Sequence, residues 1–572
     1  MISALKTFSA SRINPLFIIL AIILVVCAAY GLSLNNGFVW DDETFIVHNA
    51  FVHDLSQWPH YFTRPDTVSD DPVLSHMYRP LQTLSFAIDA ALWGSWAGGF
   101  HLTSLLLHLA ACFGLFFAFC PLVGRRSSII AAALFSVHPA LSESVLSLAS
   151  RGNQLYTLCA LFSLGFFVRT TRLLDKYHIA SMTLAVMALF SKEPAIALLA
   201  LLPLVQMVFG QPWRLSDRRS MLLSATFLMI AGLYLWARAS VVGSAQVIPY
   251  WGGSLGATVL LQGKVFVLYL RLLVWPFYLQ GRYSIAGPDA LAVLAVIVNI
   301  ALVIGAVLAW RRSAPGKVLA LAIAWFYLSL APVSNLIPLP GSMMGERFLY
   351  FTFAGMFPLM IGSIEEQDWD RYSRVILPAA LILLIAFLGM NITRAMIWKD
   401  NAHYFKALSV QEPDNPVVQV RTAMTELEAG DTASALARLE RIVKNGFSTP
   451  FAADRAAVAY WYGKTLLLSD RPQEAYAQLS KAAILGTNRT GDLVLLLAEA
   501  AARSNDLKTA RSLLEQEIKT KPEDDMLWNA LGNVLTMAGE NQSAVRAYSK
   551  AVELNPWNRE AAANLLNMQR SR

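Results

Sequence analysis

The sequence predicts an all-α protein in two parts, a polytopic membrane bundle over residues 1–400 and an α-solenoid over 416–572, joined by a linker at 401–415. Three observations predict it. Of 572 residues, 56% are hydrophobic and only 15% are charged, with a mean hydropathy of +0.47, whereas a soluble chain carries about 25% charged residues. The 46 basic and 39 acidic side chains give a net charge of +7, and residues 401–572 are charge-balanced, so the positive excess lies wholly in the apolar part. The polar tail repeats with a period of about 34 residues, the length of one helix–turn–helix unit in a stacked array. This composition excludes disorder and a plain cytosolic enzyme. Basic residues scattered through apolar sequence also lack the clustered face of a nucleic-acid binder.

Taken in order, the chain opens with Lys6 and Arg12 before an apolar run from Leu16 to Leu34. That run is longer than the core of a signal peptide, about 7–15 residues, and is expected to stay as an anchor. A spanning helix takes about 20 mostly apolar residues, fewer where polar groups line a cavity. Eleven stretches qualify: 14–34, 102–123, 127–148, 153–169, 178–192, 194–210, 220–240, 289–310, 318–338, 347–364 and 375–395. A further stretch, 258–280, carries Lys264 and Arg271 and ends in Trp275-Pro276, and is expected to be interfacial or re-entrant.

Loop charge tests this scheme, because basic residues concentrate on the cytoplasmic side. With Lys6 and Arg12 inside, the alternate loops carry Arg125-Arg126, then Arg169, Arg172 and Lys176, then Arg214, Arg218 and Arg219, then Arg311, Arg312 and Lys317, then Arg371 and Arg374. An odd number of spans then puts the first long loop, 35–100, and the tail on the extracytoplasmic side. Cys27, Cys112, Cys120 and Cys159 all lie in apolar runs and read as small buried hydrophobes, not as a disulfide framework.

The tail carries four units, 416–449, 456–489, 491–524 and 525–558, and a polar capping helix at 559–570. The clearest unit places Trp528, Leu531-Gly532, Leu535, Ala544, Tyr548, Ala551 and Pro556 where a tetratricopeptide repeat wants bulk, close helix approach or a helix stop. Ala435, Ala475, Ala510 and Ala544 recur where paired helices approach. Such arrays hold peptide segments and catalyse nothing, so chemistry is expected in the membrane part.

No phosphate-binding loop, dinucleotide fingerprint, His-Glu-x-x-His or Cys-x-x-Cys is present, which argues against an ATP-driven pump or a zinc protease. Trp40-Asp41-Asp42-Glu43 lies just beyond the first span, on its outer side. Adjacent carboxylates beside a low-dielectric phase repel one another and are raised in pKa, which suits a base or a metal ligand. Other ionisable residues fall at outer span ends: Arg79 before the amphipathic stretch Pro80–Trp93, His101, His138 and Glu143, Arg151, Lys192-Glu193, and Glu346-Arg347. Ionisable groups at membrane depth are costly and mark functional sites. Together they describe an outward cavity with carboxylates and fixed cations, suited to an anionic lipid phosphate as leaving group.

Five blocks carry a resemblance: Phe38-Val-Trp-Asp-Asp-Glu-Thr-Phe-Ile-Val-His-Asn49, Tyr78-Arg-Pro-Leu-Gln-Thr-Leu-Ser85, Gly99-Phe-His-Leu-Thr-Ser-Leu-Leu-Leu-His108, Ser136-Val-His-Pro-Ala-Leu-Ser-Glu-Ser-Val145 and Ser191-Lys-Glu193. With the order of membrane part and repeats, they resemble bacterial relatives of the TMTC family, transmembrane and tetratricopeptide-repeat O-mannosyltransferases of the GT-C class. The resemblance implies a GT-C-type bundle and a glycosyltransferase of a bacterial inner membrane with its repeats in the periplasm. It implies a polyprenyl-phosphate-linked sugar as donor and a protein or peptide held by the repeats as acceptor. On that pattern Asp41 or Asp42 is the catalytic carboxylate, and Arg79, Lys192, Arg347 and Arg151 are expected to bind the donor phosphate. Glu43, His101, His138, Glu143, Glu193 and Glu346 are expected to support the cavity. Where the family reads Gly-Arg-x-Asp, this chain reads Ser150-Arg151-Gly152-Asn153. A divalent metal stays unassigned, since the histidine-poor loop offers it only oxygen ligands. Two other classes fit the same layout: a non-catalytic repeat-bearing membrane scaffold, and a lipid-linked glycan polymerase or ligase.

Overall fold

The structure is a computed structural model describing residues 15–570, except 70–76, 211–217, 244–247, 282, 284, 339–342, 365, 448–451 and 487–490. Lys6, Arg12 and Arg214 of the charge pattern lie outside the described residues, as do the side chains of Arg219, Arg371 and Arg374. The ordered elements of the described residues are helices, with no β-strand, and the chain divides into two compact units, 1–404 and 405–572.

In the first unit the helices are α1 (Pro15–Tyr30), α2 (Pro80–Trp93), α3 (Ala97–Val123), α4 (Arg125–Val137), α5 (Ser142–Leu146), α6 (Arg151–Phe167), α7 (Lys176–Ser191), α8 (Ala197–Phe209), α9 (Arg218–Val242), α10 (Leu255–Val274), α11 (Ala290–Arg312), α12 (Ala314–Leu330), α13 (Leu349–Gly362) and α14 (Glu366–Ile397). Each stretch expected to span contains a helix. Among the described residues seven helices are long and apolar enough to cross a membrane, and α4 with the turn through α5 makes an eighth, bent by 62°. The bend falls at His138-Pro139, where proline removes a backbone donor and clashes with a continuing helix. The remaining expected spans, α6, α7, α8 and α13, are 13–17 residues long. A helix of that length reaches only about 20–26 Å at 1.5 Å per residue. Helices α6, α8 and α13 are largely buried among the others, so short, partly polar segments suffice.

The stretch expected to be interfacial or re-entrant forms one continuous helix. Helix α10 runs unbroken for 20 residues with a mean hydropathy of 1.7, as long as the spans. Tyr234 near the end of α9 packs on Tyr78 and Phe190, and the end of α10 lies beside His138, which contacts the Leu273 carbonyl at 3.3 Å. Tyr234 and the end of α10 thus lie at the same end of the unit. Lys264 is accommodated by Asp289 at the start of α11, 2.8 Å away.

The second unit holds α15 (Asn401–Gln411) in its later part, then the helix pairs α16 (Pro416–Glu428) and α17 (Thr432–Asn445), α18 (Ala452–Leu468) and α19 (Pro472–Leu485), α20 (Gly491–Arg503) and α21 (Leu507–Thr520), and α22 (Asp525–Met537) and α23 (Asn541–Leu554), closed by α24 (Arg559–Arg570). Ala435, Ala475, Ala510 and Ala544 are fully buried, as expected of positions where two helices meet. A Cβ on Gly463 would collide with Leu479, and one on Gly532 with Tyr548. Asp431, Asp506 and Asp524 cap their helices by accepting backbone amides two or three residues on.

Candidate active site

The loop after α1 is fastened to the end of α14. The Asn36 side-chain amide donates to the Ala395 carbonyl (3.0 Å), the Gly37 N–H to the Lys399 carbonyl (2.8 Å) and the Trp40 N–H to Asn401 Oδ1 (2.8 Å). Asn401 Nδ2 in turn donates to Glu43 Oε1 at 2.7 Å. Trp40 has φ 54°, in the left-handed region that a bulky residue adopts only when its surroundings over-determine it. That turn separates the two aspartates. Asp42 is completely buried, its Oδ2 accepting the Val39 N–H (3.0 Å) and its Oδ1 the Ala149 N–H (2.7 Å). Burial pushes its carboxyl up to about 7, against the pull of those backbone amides. Asp41 is half-buried, and its charge lies near Arg347.

A cluster of cations and acids forms where α2, α5 and α7 end or begin. Arg79 precedes α2, with Pro80 set for the first helical position. Its Nε donates to Glu193 Oε2 at 3.0 Å, while the Tyr78 N–H donates to Glu193 Oε1 at 3.1 Å. Burial works to raise Glu193, but Arg79 and these hydrogen bonds hold it below the ordinary carboxylate range. Lys192 is the extended residue between α7 and the turn Glu193–Ile196, where Pro194 follows. It is buried, donates to Asn153 Oδ1 at 2.8 Å and lies near Arg79 and Arg347. Burial and those two positive charges hold its amine well below the usual lysine range. Glu143, on α5, grips Arg347 twice: Oε2 accepts the backbone N–H (2.8 Å) and Oε1 the guanidinium (2.6 Å).

Glu346 points into a neighbouring pair. Its Oε2 accepts from Arg394 of α14 at 2.7 Å, and its Oε1 from the Gln280 N–H and the Tyr283 hydroxyl, both at 2.7 Å. Burial pushes this carboxyl up to about 7, against the Arg394 charge.

The structure therefore brings Asp41, Arg79, Lys192, Arg347, Glu143 and Glu193 together, with Glu43 and Glu346 as braces at the edge. Two residues named for the site, Arg151 and His138, are engaged elsewhere, while His101 braces the acidic loop. Arg151 is wholly buried and engaged by Asp89 (2.6 Å), the Phe100 carbonyl (2.8 Å), Ser104 and the Phe86 ring. It ties α6 to α2 and α3, with its charge engaged by Asp89. His101 contacts the Gly37 carbonyl at 3.3 Å and so supports the acidic loop from below. His138 sits in an aromatic box of Phe353, Phe357 and Phe387 and marks the bend after α4. Sequence reasoning missed Arg394, Asp89 and Asn401. An arginine inside the apolar run 375–395 was a readable signal for the first; the other two gave none. No group of three metal-ligating side chains occurs among the described residues. A groove of about 470 Å³ between α11 and α12 is lined only by apolar residues such as Ala301, Gly305 and Ile323, none of which belongs to the polar cluster.

The tetratricopeptide-repeat family matches residues 420–489 and 495–558. Protein O-mannosyl-transferase TMTC3 of Mus musculus is 24% identical over 95% of this chain and 64% of its own length. Protein O-mannosyl-transferase TMTC4 of Mus musculus is 24% identical over 74% of this chain and 66% of its own. Protein O-mannosyl-transferase Tmtc1 of Drosophila melanogaster is 25% identical over 67% and 56%. The chain thus spans somewhat under two thirds of the first of these relatives. Over nearly its whole length, it is a distant relative of the TMTC protein O-mannosyl-transferases.

Proposed function

We propose that this protein is a GT-C-type membrane glycosyltransferase that moves a sugar from a polyprenyl-phosphate-linked donor to a protein or peptide hydroxyl. One observation carries the reading. A half-buried carboxylate, Asp41, follows a strained Trp40 and lies near Arg347, and Lys192 lies near both Arg347 and Arg79. In the reaction the acceptor oxygen attacks the anomeric carbon and gives its proton to Asp41. The bond from that carbon to the phosphate oxygen breaks, and its electron pair stays on the phosphate. Arg79, Lys192 and Arg347 stabilise that developing charge in a place where water is largely excluded. Asp42, with both oxygens committed to backbone amides, positions the loop and takes no proton from substrate.

The site faces the extracytoplasmic side on this reading. Helices α3, α6 and α11 run from the end that carries the cluster toward Arg125-Arg126, Arg169 and Arg311-Arg312, a polarity that the positive-inside rule assigns to a cytoplasmic far end. The N-terminus is then cytoplasmic, and the repeats are extracytoplasmic, in a bacterial inner membrane. The repeats hold the acceptor, raising its effective concentration even at modest affinity. Purified protein supplied with a polyprenyl-phosphate hexose and a Ser/Thr-rich peptide should release polyprenyl phosphate and add one hexose mass to the peptide. Release without peptide modification, or activity undiminished in D41N, overturns the proposal.

A further inference from the structure

Four cations at the polar end of the first unit each have a carboxylate partner: Arg79 with Glu193, Arg347 with Glu143, Arg394 with Glu346 and Arg151 with Asp89. Lys192 is the exception. Its hydrogen bond goes to a neutral amide, Asn153 Oδ1, at 2.8 Å. A bound anion would keep the amine protonated against burial and the two neighbouring arginines, and an ammonium can only donate, so this contact then fixes which way the amide is turned. The amide nitrogen must then face away from Lys192 Nζ while remaining within the same cluster. It is buried and has no hydrogen-bond partner among the described residues. A buried donor left unpaired is rare and unfavourable, and it calls for an acceptor that the protein itself does not supply. Arg79 contributes a second set of donors, since only its Nε is bonded and its terminal nitrogens have no partner among the described residues.

We propose that Lys192 and Asn153 act as one oxyanion-binding pair, in which the lysine supplies charge and the asparagine supplies an N–H. The inference rests on the reading that a lipid-linked phosphate enters this cluster, and it adds Asn153 as a positioning and binding residue for it. The amide has a specific use here. A carboxylate at 153 would hold Lys192 equally well but would cancel its charge and present only acceptors to an anion. An amide holds the lysine and leaves both its charge and a donor for the ligand. The nearest rival occupant is a trapped water bridging Asn153 Nδ2 to Gln82 Oε1, which is also unpartnered and is pressed against Gly152 beside the Lys192 side chain.

The test uses full-length protein in detergent with farnesyl phosphate and farnesol as probes, compared by titration calorimetry. Wild type should bind the phosphate more tightly than the alcohol. N153D should lower that preference about tenfold or more, and N153A several-fold, with thermal midpoints close to wild type. A merely structural role would move the midpoint and affect both probes alike. If N153D and N153A keep the wild-type preference, the buried nitrogen meets water only, and the pair is overturned while the phosphate cluster stands. If wild type itself shows no preference for the phosphate, the cluster reading falls, and the pair falls with it.

Discussion

The two units treat charge in opposite ways. In the first, Arg151–Asp89 and Arg394–Glu346 are almost wholly buried, and Arg347–Glu143 and Arg79–Glu193 largely so. In the repeats, pairs such as Arg503–Asp470 and Lys550–Glu553 are exposed, and the buried residues are Ala, Leu and Val with an occasional tyrosine. Taking ions out of water costs several kcal/mol each, and a buried pair is at best a weak source of stability. The difference teaches where selection for geometry has overridden selection for stability. The repeats are assembled mainly by apolar packing, with Arg438–Glu426 a part-buried exception, whereas the membrane unit retains several unfavourable buried ions because their positions matter.

The largest effect that would sharpen this contrast is on transfer. D41N should lower the rate by about 10²–10⁴-fold, the usual contribution of a positioned base, with the thermal midpoint unchanged. Transfer within tenfold of wild type would remove Asp41 from the chemistry. Next comes stability in the first unit: R394M strips the buried Glu346 of its cation, and breaking such a pair costs about 3–5 kcal/mol. Melting in detergent should show a large fall, and an unchanged midpoint would mean that the pair is not buried in solution. In the repeats the comparable injury is steric, because A510L forces extra bulk between α20 and α21 and should cost about 1–3 kcal/mol.

Asp42 predicts a smaller, pH-dependent difference. Its carboxyl rises from the ordinary 3.8 to about 7 on folding, so the folded state binds the extra proton between those values. That part of the stability is present below about pH 4 and is lost as pH rises through 7. Wild type minus D42N should therefore decline over that window, and a flat difference would contradict it. Smallest of all, K550A should leave the midpoint within about 2 °C, as exposed pairs contribute little. A fall as large as that of R394M would erase the contrast between the units.

Much of the architecture was legible because it is written locally. Apolar run length marks the spans, and the recurrence of Ala435, Ala475, Ala510 and Ala544 marks the repeats. The Asp41-Asp42 block and Lys192-Glu193 were legible as charges next to apolar sequence. What could not be read is pairing over distance. Asp42 meets the Ala149 amide 107 positions away, and Arg347 meets Glu143 across 204. Arg151 looked available for phosphate only because nothing local reveals that Asp89, one α2 side chain, claims it.

The fastening of the first loop has a consequence for biosynthesis. Asn401 takes hold of both Trp40 and Glu43, so a ribosome must polymerise about 360 further residues before the aspartate beside them is aimed. Until that late segment emerges, the loop of a half-made chain lacks the side chain that fastens it.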